Sequence, residues 1–353
     1  MIKPLPIFDI IIVYDANLAF SAADSTYHES SPFTISEESF NCDATYRYFI
    51  QYCKKQGLSV AFTTTKDINT SGQFSSVWTY NNRWERNYHI AYAKVIFDKF
   101  LNLLPRNHEV YKRLTTAKKS LPFFHDQKIN ILFDNKLETH LQLSSYTIPT
   151  VKVDSLTKES IKKAKKSLLS LCLRHPFRDD FNSDLVLKDQ FGWGGNSIFK
   201  IANGNDFSNV PSDSSINFVL QPFIQTSGFN IAHFTGKSDL RVIICNNVII
   251  QSYLRIAKIG DFRANAEQGA KITYLTLDQI PLDVLEMIAS IQKHSPNKNA
   301  LYALDFIKSI NNHLYFIEGN SSPGLNWFDP EDERRAKQLI RLIVKKLKKI
   351  ILL

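Results

Sequence analysis

At 353 residues the chain is long enough for two or three domains, and a composition 44% hydrophobic and 12% aromatic supports packed cores and excludes a disordered protein. The net charge of +9 suits an acidic partner (nucleotide, acidic peptide, nucleic acid or anionic membrane) without choosing one, because much of the excess is lysine on expected solvent faces. Cys42, Cys53, Cys172 and Cys245 have no metal or redox spacing and read as free thiols of a reducing compartment.

Residues 7–13 form a strand; Asp9 and Asp15 bracket its apolar run, which excludes a signal sequence or membrane span and makes a cytoplasmic location the expectation. Residues 36–57 turn amphipathic through Tyr46, Phe49, Ile50 and Cys53 and stop at Gly57, a helix end. With strands at 58–63 and 88–98, residues 1–125 read as a parallel sheet under helical cover. The polar stretches 17–37 and 67–86 are substrate loops or long surface loops. A short strand at 130–133, a helix at 136–144 and a strand at 149–153 follow. The helix at 157–174 has Ile161, Ala164, Leu168 and Leu171 at helical spacing and Lys162, Lys163, Lys165 and Lys166 outward. Strands at 184–188 and 198–201 flank a Gly-rich segment, and 217–224 is another strand. Residues 239–353 hold two hairpins, a helix at 282–293 and a basic helix at 331–353. The apolar stripe of that last helix (Leu339, Ile340, Leu342, Ile343, Leu347, Ile350, Ile351) is expected to pack on its own domain and not on a membrane.

Four segments carry chemistry. Lys188 ends a strand just before the glycines of 191–197, among them Gly194 and Gly195. Glycines let backbone N–H groups approach phosphate, and a nearby lysine adds a point charge. No GKS or GKT follows, so this is no Walker loop, and a Gly-rich hairpin turn stays open beside the phosphate reading. Gln221-Pro222-Phe223-Ile224 ends a strand in a form suited to an adenine hinge, where a proline can still offer its carbonyl. Asn246-Asn247 marks a hairpin turn, after which Arg255, Lys258, Arg263 and Asn265 with Gly260 and Gly269 read as a phosphate loop or a solvated basic loop. A regular hairpin sets Arg241 and Arg255 on opposite faces.

Residues 301–328 give the sharpest signal. Apolar runs at 301–310 and 313–317 flank Asn311-Asn312, a pair suited to a two-residue turn. That turn places Asp305 opposite Glu318, with Asn320 pointing to the same face. Carboxylates this close repel unless a cation lies between them, and the oxygen set suits Mg²⁺ completed by phosphate oxygens. A hairpin with exposed acids is the bland alternative.

In their order, Lys188 with its Gly loop, the QPFI strand end, the DLRV…R…GDFRAN block and the D…EGNSSPG ending resemble the ATP-grasp superfamily. Within it the likeness is to the RimK-like ribosomal-protein glutamate ligases and the glutathione-synthetase-like branch. The resemblance implies an α/β (α+β) fold. An N-terminal α/β pre-ATP-grasp domain occupies 1–125, and a two-lobed ATP-grasp domain with antiparallel sheets follows, its lobes at 126–225 and, with the C-terminal helix, 226–353. It implies that Lys136 and Lys188 bind ATP phosphates beside Gly194 and Gly195. Gln221, Pro222 and Phe223 form the adenine hinge, and Asp239 lies near the ribose. Asn265 contacts phosphate; Arg263 contacts phosphate and Arg255 steadies the acyl phosphate, both catalytic. Asp305, Glu318 and Asn320 hold Mg²⁺, one ion or two, which Mn²⁺ can replace.

The implied reaction joins a carboxylate to an amine through an acyl phosphate, releasing ADP and phosphate. Its substrates are small-molecule or peptide carboxylates and amines, an acidic acceptor being favoured by the cations. No specific nucleic acid and no membrane partner is expected; dimer and tetramer both stay open. The rival readings are a nucleotide-binding regulator without catalysis and a basic nucleic-acid-binding protein. The intact acid set and Arg255 argue against the first. The absence of a helix-turn-helix, zinc finger or repeated aromatic-basic stripe argues against the second.

Overall fold

The computed structural model describes residues 6–33, 37–69, 73–100, 105–116, 124, 127–192, 194, 197–211, 216–231, 236–258, 270–294, 300–327 and 329–352. The chain forms two compact units, one of residues 1–126, 299–301 and 322–353 and one of residues 127–298 and 302–321. In chain order the elements are β1 (Ile7–Tyr14), α1 (Glu37–Lys55), β2 (Val60–Thr64), β3 (Val77–Tyr80), β4 (Trp84–Asn87), β5 (Tyr92–Lys99) and α2 (Pro105–Thr116). They continue with α3 (Gln127–Asp134), α4 (Lys136–Leu143), β6 (Val151–Val153), α5 (Lys158–Arg174), β7 (Phe181–Asp189), β8 (Ile198–Ile201) and β9 (Phe218–Ile224). The last are β10 (Ser238–Cys245), β11 (Val248–Ile256), β12 (Lys271–Leu275), α6 (Leu282–His294), β13 (Leu301–Lys308), β14 (Leu314–Asn320) and α7 (Pro330–Ile351).

The first unit is built on a five-stranded sheet in the order β4-β3-β2-β1-β5. Ile10, Ile11, Ile12 and Val13 are all buried, as a strand covered on both faces requires. β1 runs parallel to β2 and β5. α1 buries Tyr46, Phe49, Ile50 and Cys53, and Phe49 stacks on Phe97 at 5.3 Å. Gly57, at φ 76°, turns the chain out of α1 while Leu58 N–H reaches back to the Cys53 carbonyl at 3.0 Å.

The expected loop at 67–86 is instead a hairpin, β3–β4, added antiparallel to β2. Its polar composition conceals Trp78 and Trp84, both buried. Residues 17–33 are packed as well. Trp78 Nε1 donates to the Phe20 carbonyl at 2.9 Å, and Arg86 donates to the carbonyls of Asp24 (2.8 Å) and Tyr27.

α7 belongs to this first unit, although the sequence grouped it with 226–353. Asp329 caps it by accepting from Glu331 N–H at 2.8 Å and Asp332 N–H at 2.9 Å. Leu339, Ile340, Ile343, Val344 and Leu347 are buried; Leu342, expected in the stripe, is exposed and Val344 takes its place. Lys348 donates to the Gln56 carbonyl at 2.8 Å and Arg341 to the Tyr48 hydroxyl at 2.9 Å, so the basic face binds α1 and its exit.

The second unit holds two sheets, β6-β9-β7-β8, antiparallel throughout, and β12-β11-β10-β13-β14, in which β10–β11, β11–β12 and β13–β14 pair antiparallel. α5, capped by Thr157, buries Ile161, Ala164, Leu168 and Cys172 against the first sheet. Residues 130–133, expected as a strand, lie in α3. Ile129, Leu132 and Phe133 are buried at helical spacing, a pattern too short to separate from a strand by alternation. No helix among the described residues is long and apolar enough to cross a membrane.

Two hairpins depart from their expected registers. Asn246 and Asn247 both have positive φ and form the two-residue turn, but a bulge leaves Ile250 unpaired, since Ile243 faces Gln251 and Ile244 faces Ile249. That extra residue reverses the parity, so Arg241 (opposite Tyr253) and Arg255 (opposite Asp239) share a face and do not oppose each other as expected. In β13–β14, Ser309 faces His313 around a three-residue loop in which only Asn312 has positive φ. A second bulge, at Ile317, then restores Asp305 opposite Glu318. The expected pair stands, through a turn and a bulge that offset each other.

Candidate functional site

Lys136 and Lys188 converge from different elements of the second unit. Lys136 opens α4, behind the cap Asn135, whose Oδ1 accepts from Leu137 N–H at 3.1 Å and Glu138 N–H at 3.2 Å. The same oxygen accepts from Gln190 Nε2 at 2.8 Å, which ties the start of α4 to the end of β7. Lys136 Nζ donates to the Gly192 carbonyl and lies 3.8 Å from Glu318 Oε2. Lys188 stands on β7, opposite Ile198 and Val219. Burial pushes its ammonium down to about 8; Glu318 opposes that shift and Lys136 adds to it. The two phosphate candidates and one metal candidate thus share one electrostatic neighbourhood.

The Gly loop keeps part of its expected form. Gly194 has φ 69°, and a side chain at Gly192 would meet Asp189 at 2.7 Å. Trp193 and Gly195 lie outside the described residues, as do Arg263 and Asn265.

The hinge strand β9 runs between β6 and β7. Pro222 sits where its ladder with β7 becomes irregular and beyond its pairing with β6, so the missing N–H breaks no regular pair. Gln221 is buried. Its Nε2 donates to Thr150 Oγ1 at 2.8 Å, and its Oε1 has no partner among the described residues. Lys200 Nζ lies 4.2 Å above the Phe223 ring.

The shared face of β10, β11 and β13 carries an ionic ladder. Arg255 donates from Nε and Nη2 to the two oxygens of Asp239, each at 2.7 Å, and from Nη2 to Asp305 Oδ2 at 2.7 Å. Arg241 donates from Nε to Asp305 Oδ1 and from Nη2 to Oδ2, each at 2.6 Å. Burial alone would raise the Asp305 carboxyl, but Arg241 and Arg255 outweigh it and hold the group below the usual carboxylate range. Arg241 is the neighbour of the candidate acids that the sequence reading left out, because the bulge at Ile250 bears no glycine or proline to announce it. Asp239, expected near the ribose, accepts from Arg255 with each of its oxygens.

Asp305, Glu318 and Asn320 share the opposite-strand face expected of them: Asp305 faces Glu318, and Asn320 faces Ala303 two residues on. Two carboxylates and an amide carbonyl are the hard oxygens that Mg²⁺ takes. Asp305 Oδ1 accepts one hydrogen bond and retains acceptor capacity, so the donor set fits such an ion. The far end of the hairpin is anchored on buried Asp180, which accepts from Asn311 Nδ2 (2.7 Å) and Tyr315 OH (2.7 Å) and pairs with His313 Nδ1 (2.9 Å).

A lysine-bearing antiparallel sheet and a carboxylate-bearing hairpin in a second sheet are features of the ATP-grasp fold, and the match to a family model makes the chain an ATP-dependent carboxylate–amine ligase. Residues 153–343, over half of the chain, match the family model of the RimK-like ATP-grasp domain, and the chain belongs to that family. Among solved structures it is similar to D-alanyl-alanine synthetase A of Vibrio cholerae, with a TM-score of 0.57 and 14% identity over 98% of this chain and 99% of that one. It is also similar to a Chryseobacterium gregarium RiPP-associated ATP-grasp ligase in complex with ADP and a leader and core peptide, with a TM-score of 0.52, 14% identity and 97% of each chain covered. An uncharacterized protein of Mycoplasma genitalium is 22% identical over 226 residues, 63% of this chain and 67% of that protein. A probable alpha-L-glutamate ligase of Legionella pneumophila is 27% identical over 143 residues, 40% of this chain and 43% of the relative.

Proposed function

We propose that the chain activates a carboxylate with ATP as an acyl phosphate and joins it to an amine, releasing ADP and phosphate in the cytoplasm. The observation that supports this best is the meeting, in one unit, of Lys136 and Lys188 with Glu318 and of Arg241 and Arg255 with Asp305. Phosphoryl transfer asks a protein mainly for positioning and charge neutralisation, which these groups provide without a nucleophilic side chain.

In this reading Lys136 and Lys188 take ATP phosphates beside Gly194 and Gly195, and Arg263 and Asn265 complete that shell. The Pro222 carbonyl accepts from the adenine amino group and the Phe223 N–H donates to the ring, while Gln221 lines the hinge. Asp305, Glu318 and Asn320 would hold Mg²⁺, or Mn²⁺ in its place. Bound there, the ion would neutralise charge developing on the transferred phosphoryl group. The substrate carboxylate attacks the γ-phosphorus, and the bond to the bridging oxygen breaks to release ADP. The amine then attacks the acyl carbon and phosphate departs with its electron pair. Asp239 lies on the nucleotide side and holds Arg255, which steadies the acyl phosphate, and Arg255 and Arg241 set the position of Asp305.

The carboxylate belongs to an amino acid or a peptide, acidic in character to match a net charge of +9. ADP release, screened over pairs of amino acids and acidic peptides with mass spectrometry of the products, tests the reading. ADP release that needs both partners, with a product one water lighter than their sum, is the expected result. Nucleotide binding with no ADP release from any pair points to the non-catalytic regulator.

A further inference from the structure

We infer that the free protein neutralises its own metal-binding acids with two displaceable cations, Arg241 on Asp305 and Lys136 on Glu318, and exchanges them for metal only when nucleotide phosphates arrive. The inference rests on reading Asp305 and Glu318 as metal ligands.

The geometry separates the fixed cation from the displaceable ones. Arg255 has a side chain 3% exposed and commits Nε and Nη2 to Asp239, so it stays with the ladder whatever happens at Asp305. Arg241, at 14% exposure, presents its fork to both Asp305 oxygens, the edge that a metal ion would use. Lys136 stands 3.8 Å from Glu318, too far for a direct hydrogen bond, and spends one donor on the Gly192 carbonyl. Its hold on Glu318 is a charge interaction that a nearer cation can replace.

The charges then decide the order of events. Around the site three carboxylates (Asp239, Asp305, Glu318) face Arg241, Arg255, Lys136 and Lys188. A free divalent ion would enter a region that already carries as many cations as acids or more, and would leave Arg241 and Lys136 unpaired beside it. Nucleotide phosphates supply the oxygens that those two side chains then need. Metal and nucleotide therefore favour each other, and linkage makes the coupling equal in both directions. A lysine assigned to phosphate should accordingly oppose metal when phosphate is absent.

Mn²⁺ titration followed by electron paramagnetic resonance tests this on the full-length protein, with and without a non-hydrolysable ATP analogue. Wild type should bind Mn²⁺ weakly alone and tightly with the analogue. Lys136→Gln should bind Mn²⁺ alone on the order of tenfold more tightly than wild type, and the analogue more weakly. Arg241→Gln should move the same way where it folds; Lys136→Gln decides the matter if it does not. Lys163→Gln, on the exposed face of α5, is the charge control and should change nothing. A folded Lys136→Gln protein with unchanged or weaker Mn²⁺ binding overturns the inference, as does an equal gain in Lys163→Gln. Wild type that takes up no Mn²⁺ even with the analogue overturns the ligand assignment itself.

Discussion

Arg255 carries two roles that one substitution can separate. The resemblance sets it against an acyl phosphate, and in the fold its guanidinium is enclosed between Asp239 and Asp305. Arg255→Ala would take from buried Asp239 both of its bonds to that guanidinium and from Asp305 one of three, Arg241 keeping the other two, and breaking a buried pair of the Asp239 kind costs about 3–5 kcal/mol. Chemical denaturation should show a loss of that size. An unchanged midpoint with turnover abolished would assign Arg255 to the reaction and not to the ladder. Glu318 is the opposite case, partly buried and held by the charges of Lys136 and Lys188, so Glu318→Gln should keep the stability of wild type and release no ADP.

Lys188 gives the pH dependence. Its folded value near 8 lies below the unfolded value of about 10.4, so between those two pH values the unfolded chain holds more protons. Stability from this group is therefore absent below pH 8 and gained as pH rises through the window. Phosphate demands the charged form, so ATP binding should take up a proton at about pH 8.5. Calorimetry in buffers of different ionisation enthalpy should detect that uptake, and Lys188→Met should abolish it.

At the scale of elements, the two hairpins mark where sequence reading succeeds and stops. Alternation and paired asparagines were enough to place both turns, but the Asp305–Glu318 pairing stands only because the bulge at Ile317 offsets a loop one residue longer than expected. The turn types were not legible, because identical Asn-Asn dipeptides behave differently. Asn246 and Asn247 both take positive φ, whereas only Asn312 does in the second hairpin. The difference lies with Asp180, which binds the Asn311 side chain from 131 residues away, beyond any local rule. The bulges at Ile250 and Ile317 were equally silent, and one of them decides that Arg241 joins the site. Gly319 holds the hairpin in place on its other side, since a Cβ there would collide with the Phe133 ring of α3. Gly319→Ala should cost about 1–3 kcal/mol and weaken Mn²⁺ binding with nucleotide, because it displaces the strand between Glu318 and Asn320. Chemical denaturation and Mn²⁺ titration with the analogue check both; wild-type values in both would mean that the Gly319–Phe133 approach does not hold the strand.

At the scale of the molecule, the charge pattern and the order of motifs were legible, and the chain's return to its first unit was not. A basic amphipathic helix looks alike whether it covers its own lobe or a distant α1; only tertiary packing brings Lys348 to Gln56 and Arg341 to Tyr48, some three hundred positions earlier. The division into units makes the site testable without knowing the substrates. Every described candidate for nucleotide or metal lies within residues 127–298 and 302–321. A ligand that binds only the folded form stabilises by mass action, about 2.7 kcal/mol at a hundred times its dissociation constant, or about a hundredfold slower exchange for amides that open only when that unit unfolds. Hydrogen exchange with a non-hydrolysable ATP analogue and Mg²⁺ should therefore slow most in β7, β9, β10, β13 and β14. Slowing in β9 tests the hinge, and slowing in β13–β14 tests the acids. Protection confined to β1–β5 and α7 would move the nucleotide to the first unit and remove Lys136, Lys188 and Glu318 from the site together.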